Sequence, residues 1–317
     1  MASPMKLFVF AASFLASCSA LSPEKTYGSE GDIKLRIANG GAGQSGLIGE
    51  LAEAYIKYRK DEGADPFKVG WYKSDTTYSI AYLKSGDVDV GITYNEAAEK
   101  IAIDQDIAKA PSYYAFRDHF ILVGPPSNPA KVSEDDDILT IFAALHEAAE
   151  GKPTDPPVRF LSRFDKSATN IKETLLWASV GQIPWATSPS TWYHQYIAFP
   201  IQALEAAIKL NEYTITDRGT ILSLDEELRN ETVIYKEGSD KPGDQLLNPA
   251  HLLVGKHAPN PEEADRFAKW VVSKKGQDVI TGFKKYGKQL YTGAPEETAP
   301  KETYRSWLQV QRMRGDM

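Results

Sequence analysis

Apolar and polar positions alternate along the chain in short runs separated by glycine- and proline-rich breaks. Ile33 to Ala38 (IKLRIA) predicts a strand, and Asn39-Gly40-Gly41-Ala42-Gly43-Gln44-Ser45-Gly46 a glycine-rich turn. A helical period follows, with Leu47, Leu51 and Tyr55 on one stripe and Ile48, Ala52 and Ile56 beside it. Ser45 stands where an N-cap belongs. Val69–Tyr72 predicts a second strand, residues 77–85 a helix stopped by Gly86, and Val88–Thr93 a third strand. Strands alternating with helices predict an α/β fold with a largely parallel sheet.

The same pattern continues. Phe120–Val123 (FILV) predicts a buried-type strand closed by Gly124-Pro125-Pro126. Further helices are predicted over Ile138–Glu150, from within Ser167–Asn170 through Trp177, from Pro200 with Ile201, Leu204 and Ile208 on one face, and over Pro261–Ser273. Further strands are predicted over Val158–Ser162, Tyr213–Ile215 and His251–Val254. Ser223-Leu224-Asp225-Glu226 matches a capping box, and residues 293–317 read as a polar tail.

The first twenty residues are an address. Lys6 supplies a positive charge, Leu7 to Ser17 is an apolar or small-residue run, and Cys18-Ser19-Ala20 is a small-residue exit. The run is too short to span a bilayer, and the arrangement is that of a signal peptide over residues 1–20. The expected location is secreted, extracellular or periplasmic. Leu15-Ala16-Ser17-Cys18 also resembles a bacterial lipoprotein box, so anchoring through a lipidated Cys18 is the alternative.

Composition narrows the function classes. The chain has 317 residues, 36 Lys+Arg against 43 Asp+Glu, and a net charge of −7. That balance argues against nucleic acid or an acidic membrane as the main partner. A single cysteine excludes an intrachain disulfide and a Cys-rich metal site. The five histidines have no metal-ligand spacing, and there is no H-E-x-x-H and no G-x-S-x-G elbow. No oriented nucleophile–base pair is legible, so neither an enzyme nor a cofactor is expected.

Three segments carry candidate chemistry. The glycines of Asn39–Gly46 permit close backbone approach at a helix start, as an anion cradle or an ordinary turn. Ser162-Arg163-Phe164-Asp165-Lys166-Ser167-Ala168-Thr169 gathers two cations and three hydroxyls before a helix. Arg163 could offer its planar fork to an oxyanion or pair with Asp165 on the surface. Thr216-Asp217-Arg218-Gly219-Thr220 is either a second cationic finger or an Asp–Arg turn.

Taken together in fixed order, these segments resemble the type II periplasmic-binding-protein family, nearest its tungstate-binding, molybdate-like receptors of ABC importers. Ala38 to Ile48 is similar to a family loop ending in Ser-Gly-Leu. Ser162 to Glu173 is similar to Ser-Arg-Gly-Asp-x-Ser-Gly-Thr-His-x-x-Glu, and Thr216 to Thr220 matches a family pentapeptide. Gly86 to Val90 and Asp118 to Pro125 fall in the expected places.

The resemblance implies two lobes, each a mixed sheet flanked by helices, with the ligand in the cleft. Lobe one would comprise residues 31–123 and 249–292, and lobe two residues 124–248. It implies a non-catalytic, monomeric receptor for a small tetrahedral oxyanion, with an ABC importer subunit as partner. The implied ligand-binding residues are Asn39, Gly40, Gly41, Ala42, Ser45, Asp75, Thr76, Arg163, Ser167, Ala168, Thr169 and Arg218. Departures are visible: the first loop has lost hydroxyls, motif glycines become Phe164 and Ala168, and Asp75 adds a carboxylate where a dianion would sit. A second reading keeps the scaffold for another small solute, or for scavenging without a transporter.

Overall fold

The computed structural model describes residues 21–186 and 190–295. The signal-peptide and Cys18 readings, and residues 296–317 of the tail, lie outside these residues.

Strands Ile33–Asn39 and Lys68–Lys73, on either side of the first long helix (Leu47–Asp61), pair in parallel, with Ile37 opposite Trp71. Val90–Thr93 adds to the other edge of Ile33–Asn39, again in parallel. Beyond it the sheet turns antiparallel, through Leu247–Val254 to Tyr113–Gly124. The sheet is therefore mixed: Lys25–Tyr27 is antiparallel at one edge, and every partner of Tyr113–Gly124 is antiparallel. The expectation of a largely parallel sheet fails at Leu247–Val254 and Tyr113–Gly124, which run against the strands beside them.

Tyr113–Gly124 joins the two halves of the molecule. The Phe120–Val123 strand is only the end of this twelve-residue element. Through His119 it pairs with Leu247–Val254, and from Phe120 it pairs with Thr214–Asp217 and Val233–Glu237. Phe160–Ser162 and Tyr193–Gln195 extend the second half as a parallel pair, bridged to Tyr213.

Each half has an apolar core. In the first, Leu35, Ile37, Leu47, Leu51, Tyr55 and Phe267 are fully buried, as the helical stripe predicts. In the second, Trp177 packs its ring 4.5 Å from Phe142, 5.2 Å from Phe160 and 5.5 Å from Trp192. The first cluster also takes in Leu204, Ile208, Ile221 and Leu222, so the halves meet over apolar surface.

Two capping expectations are corrected. Gly46, at φ 106°, occupies the N-cap of Leu47–Asp61, while the Ser45 hydroxyl bonds the Ala42 carbonyl and lies 2.7 Å from the Tyr291 hydroxyl. Ser223–Glu226 forms no capping box. Asp225 precedes a four-residue helix without a side-chain cap, and Ser223 donates back to the Gly219 carbonyl.

Candidate functional site

A cavity of about 440 Å³ lies beside the point where Tyr113–Gly124 exchanges partners. Three helices begin at its wall: Thr76–Ser85, Ala168–Ser179 and Pro200–Lys209. The first-turn amides of a helix have no intrahelical acceptor, and the aligned peptide dipoles make that end positive. Local sequence starts each helix there. Asp75 accepts from the Tyr78 amide at 2.8 Å, Ser167 accepts from the Asn170 amide at 3.3 Å, and Pro200 sits at a first-turn position. Thr76 lines the cavity, and its buried hydroxyl has no hydrogen-bond partner among the described residues.

Gly40 and Gly41 form a further stretch of wall. A Cβ on Gly40 would meet the Ser74 carbonyl at 2.6 Å, whereas one on Gly41 would point into open space. The amides of Gly43, Gln44 and Gly46 are used to close the short helix Gly41–Ser45 and its end. Gly43 holds the loop in register: a Cβ there would lie 2.1 Å from the Trp71 ring, whose Nε1 donates to the Asn39 carbonyl. Gly43→Ala should therefore displace the loop or the indole and cost about 1–3 kcal/mol of stability, read by urea unfolding.

Arg163 is 8% exposed and faces the cavity. Its fork is held on three sides, by the Thr169 hydroxyl at 3.2 Å, the Ala198 carbonyl at 3.2 Å and the Asp165 carboxylate. Arg163 does pair with Asp165, but buried in the cavity wall and not on the surface as the turn reading expects. Lys73 is the other cation in the wall, 3.8 Å from the centre of the Phe199 ring across the cleft.

The segment behind Arg163 is anchored from below. The buried Glu173 accepts from the Ser162 hydroxyl at 2.7 Å and from Tyr193 at 2.7 Å, and burial pushes its carboxyl up to about 7. Ser162 in turn accepts from the Phe164 amide. Phe164 and Lys166 sit at φ 45° and 63°. The departure of Phe164 from the family glycine thus falls on a left-handed residue, which a side chain tolerates poorly.

Of the residues anticipated from sequence, Gly40, Gly41, Asp75, Thr76, Arg163, Ser167, Ala168 and Thr169 line the cavity. Asn39, Ala42, Ser45 and Arg218 do not. The Asn39 side chain is wholly buried, donating to the Ile92 carbonyl and accepting from the Gly43 amide. Ala42 packs into the core beneath the loop, and Ser45 is turned to Tyr291. Arg218 turns away to Glu237, with Nε 2.6 Å from the carboxylate, and leaves its neighbour Asp217 in the wall.

Sequence reasoning missed Lys73, Tyr94, Asp118, Asp217 and Asn248. Asp118 and Asn248 carried a usable signal: each is a polar residue beside an apolar strand run near a proposed crossing. Asp118 accepts from the His119 amide at 2.8 Å and from Asn248 at 3.2 Å. Burial, and then the charge of Asp217, raise its carboxyl well above the usual carboxylate range.

Comparison with known proteins agrees with this architecture. The PBP superfamily domain matches residues 23–275. The tungstate-binding protein TupA of Peptoclostridium acidaminophilum is 30% identical over 256 residues, 78% of this chain and 81% of that protein. A periplasmic candidate metal-binding protein of known crystal structure is 64% identical with a TM-score of 0.82, covering 86% of this chain and 99% of that one. The structure of the tungstate-binding protein TupA from Desulfovibrio alaskensis G20 is 25% identical with a TM-score of 0.67, covering 83% and 99%. With its mixed sheet continued through one shared strand and a cavity beside the exchange point, the chain belongs to the PBP superfamily and has the type II periplasmic-binding-protein fold.

Proposed function

We propose that this protein is an exported, non-catalytic receptor that holds a small tetrahedral oxyanion, tungstate or molybdate, in the cavity between its halves. The observation that carries the reading is the convergence of three helix N-termini and Arg163 on one hollow that also contains the unpartnered Thr76 hydroxyl. Amides at the starts of Thr76–Ser85 and Ala168–Ser179 would donate to ligand oxygens, and Arg163 would supply neutralising charge. The tungstate-binding relatives support the same ligand class.

Two lobes, residues 31–123 with 249–292 and residues 124–248, would close about the shared strand, each gripping one side of the ligand. The receptor would act as a monomer delivering to an ABC importer. Calorimetric titration with tungstate, molybdate, sulfate and phosphate tests the ligand class. Tungstate and molybdate should give saturable heat, and silence with all four would remove the reading.

The carboxylates in the wall favour a second reading, in which the same cleft takes a solute carrying positive charge. Asp75 distinguishes the two. Asn caps a helix about as well as Asp, so Asp75→Asn removes a charge while keeping the bond to Tyr78. For an oxyanion receptor it should tighten tungstate binding roughly fivefold, on the order of 1 kcal/mol. Weaker binding of a cationic solute, with tungstate unchanged, would favour the second reading.

A further inference from the structure

The cavity wall holds two cations, Arg163 and Lys73, and four acidic side chains, Asp75, Asp118, Asp165 and Asp217. Asp165 is paired with Arg163, and Asp75 caps its own helix. Asp217 likewise caps the short helix Arg218–Ile221, whereas Asp118 has neither a paired cation among the described residues nor a helix start of its own. They come to the cavity from neighbouring antiparallel strands: Asp217 stands opposite Phe120, two residues beyond Asp118. They are only 6% and 9% exposed. Their hydrogen-bond partners are neutral donors: the His119 amide and Asn248 for Asp118, and the amide and hydroxyl of Thr220 for Asp217.

Neither is in an ion pair among the described residues. Of the surrounding titratable groups, Arg218 draws the Asp118 carboxyl down, but by less than burial and the Asp217 charge raise it. Arg218 is committed to Glu237, and the Lys285 ammonium is bonded to Ser223. His119 is held toward its neutral form by burial and by Arg218, and Tyr94 and Tyr291 are neutral phenols whose burial raises them further. Two ionised carboxylates beside a dianion would put four negative charges in one partly desolvated hollow, where closely placed like charges do not all persist.

We propose that Asp118, buried in the wall diagonally across from the Asp217 carboxylate, takes up a proton when the cavity fills, so that the receptor binds an oxyanion dianion together with that proton. The inference rests on the oxyanion reading above and specifies how that site tolerates its own acids. The proton comes from solvent: where Asp118 is ionised, binding forms one carboxyl O–H and breaks one buffer X–H bond, with no other covalent change. The resulting O–H replaces a repelling oxygen by a donor toward the ligand. By linkage, the affinity for a ligand of constant charge falls by about tenfold per pH unit above the titration of Asp118.

The test is calorimetric titration of the full chain with sodium tungstate between about pH 7 and about pH 10, in buffers of high and low ionisation heat. Tungstate keeps its two charges throughout that window. The expected result is proton uptake that rises toward one per ligand bound as affinity falls. Asp118→Asn should bind tungstate with little pH dependence and no uptake. Flat affinity without proton uptake in the natural protein would overturn the proposal, and needs no variant to fold. Uptake that persists in Asp118→Asn would equally overturn it. Absence of tungstate heat throughout would instead remove the oxyanion reading, and the proton with it.

Discussion

Replacing Arg163 by Ala should weaken tungstate binding by about thirtyfold to a few thousandfold, the equivalent of about 2–5 kcal/mol for truncating one member of a buried, hydrogen-bonded charge pair. Two effects combine. The guanidinium that would meet the ligand is lost, and the Asp165 carboxylate that it neutralised is left in the wall. Asp165 stays in place because it also accepts from the Ser167 amide. Removing both charges in Arg163→Ala with Asp165→Ala should therefore recover part of the loss. Arg163→Lys should fall between, since an ammonium restores charge but cannot reach Thr169, Ala198 and the ligand with one planar fork. A folded Arg163→Ala protein that binds tungstate as well as the natural one would place the anion elsewhere.

The second large effect is on stability. Glu173 lies beneath the Arg163 segment with its carboxyl raised to about 7 from 4.5 by burial. In the unfolded chain the proton leaves near the lower value, whereas the native state keeps it until the higher one. The contribution of Glu173 is thus fully present below the unfolded value and is lost as pH rises through the folded one, by about 3 kcal/mol in total. Glu173→Gln, which stays neutral, should lose this component. Urea unfolding of both proteins should diverge between about pH 4.5 and pH 7, with the variant gaining relative stability, and then run parallel. Identical profiles would show that Glu173 ionises as freely in the fold as in the chain. Tyr193 and Ser162 donate to this carboxyl in the native state, so the variant also tests whether those hydroxyls adapt to an amide.

Much of the architecture was legible because local pattern and tertiary role agreed. Ile138–Glu150 forms the helix that its periodicity predicts, and Pro200 begins its helix as proline should. The shared strand was only half visible. Its first part, Tyr113–His119, contains Arg117, Asp118 and His119, polar residues outside the apolar run Phe120–Val123 that marks the strand. Those side chains find distant partners instead: Arg117 donates to the Gly293 carbonyl, Asp118 accepts from Asn248, and His119 contacts Asp240. Partners more than a hundred residues away leave no trace in a local window.

The site divides in the same way. The Arg163 segment was readable because cations and hydroxyls at a helix start are unusual locally. Thr216–Thr220 was misread at the level of one residue. Residue type favours Arg218 as the anion-facing group, but successive residues at this strand–helix junction take different sides. Asp217 faces the cavity and Arg218 reaches Glu237, nineteen residues on. Their residue types suit Asn39 and Ser45 to ligand binding in a glycine loop, yet they serve its internal bonding to Gly43, Ala42 and Tyr291. Hydrogen-bonding capacity is visible in sequence, whereas its direction is decided by packing.

An oxyanion is expected to sit among the starts of Thr76–Ser85 and Ala168–Ser179, within reach of Arg163. The most direct measurement is a crystal structure of the protein grown with tungstate, with diffraction recorded at the tungsten absorption edge. One anomalous peak in the cavity, with ligand oxygens at hydrogen-bonding distance from the Thr76 hydroxyl, the Ala168 or Thr169 amide and the Arg163 guanidinium, is the expected result. A peak on the outer surface, or an empty cavity at saturating tungstate, would contradict it.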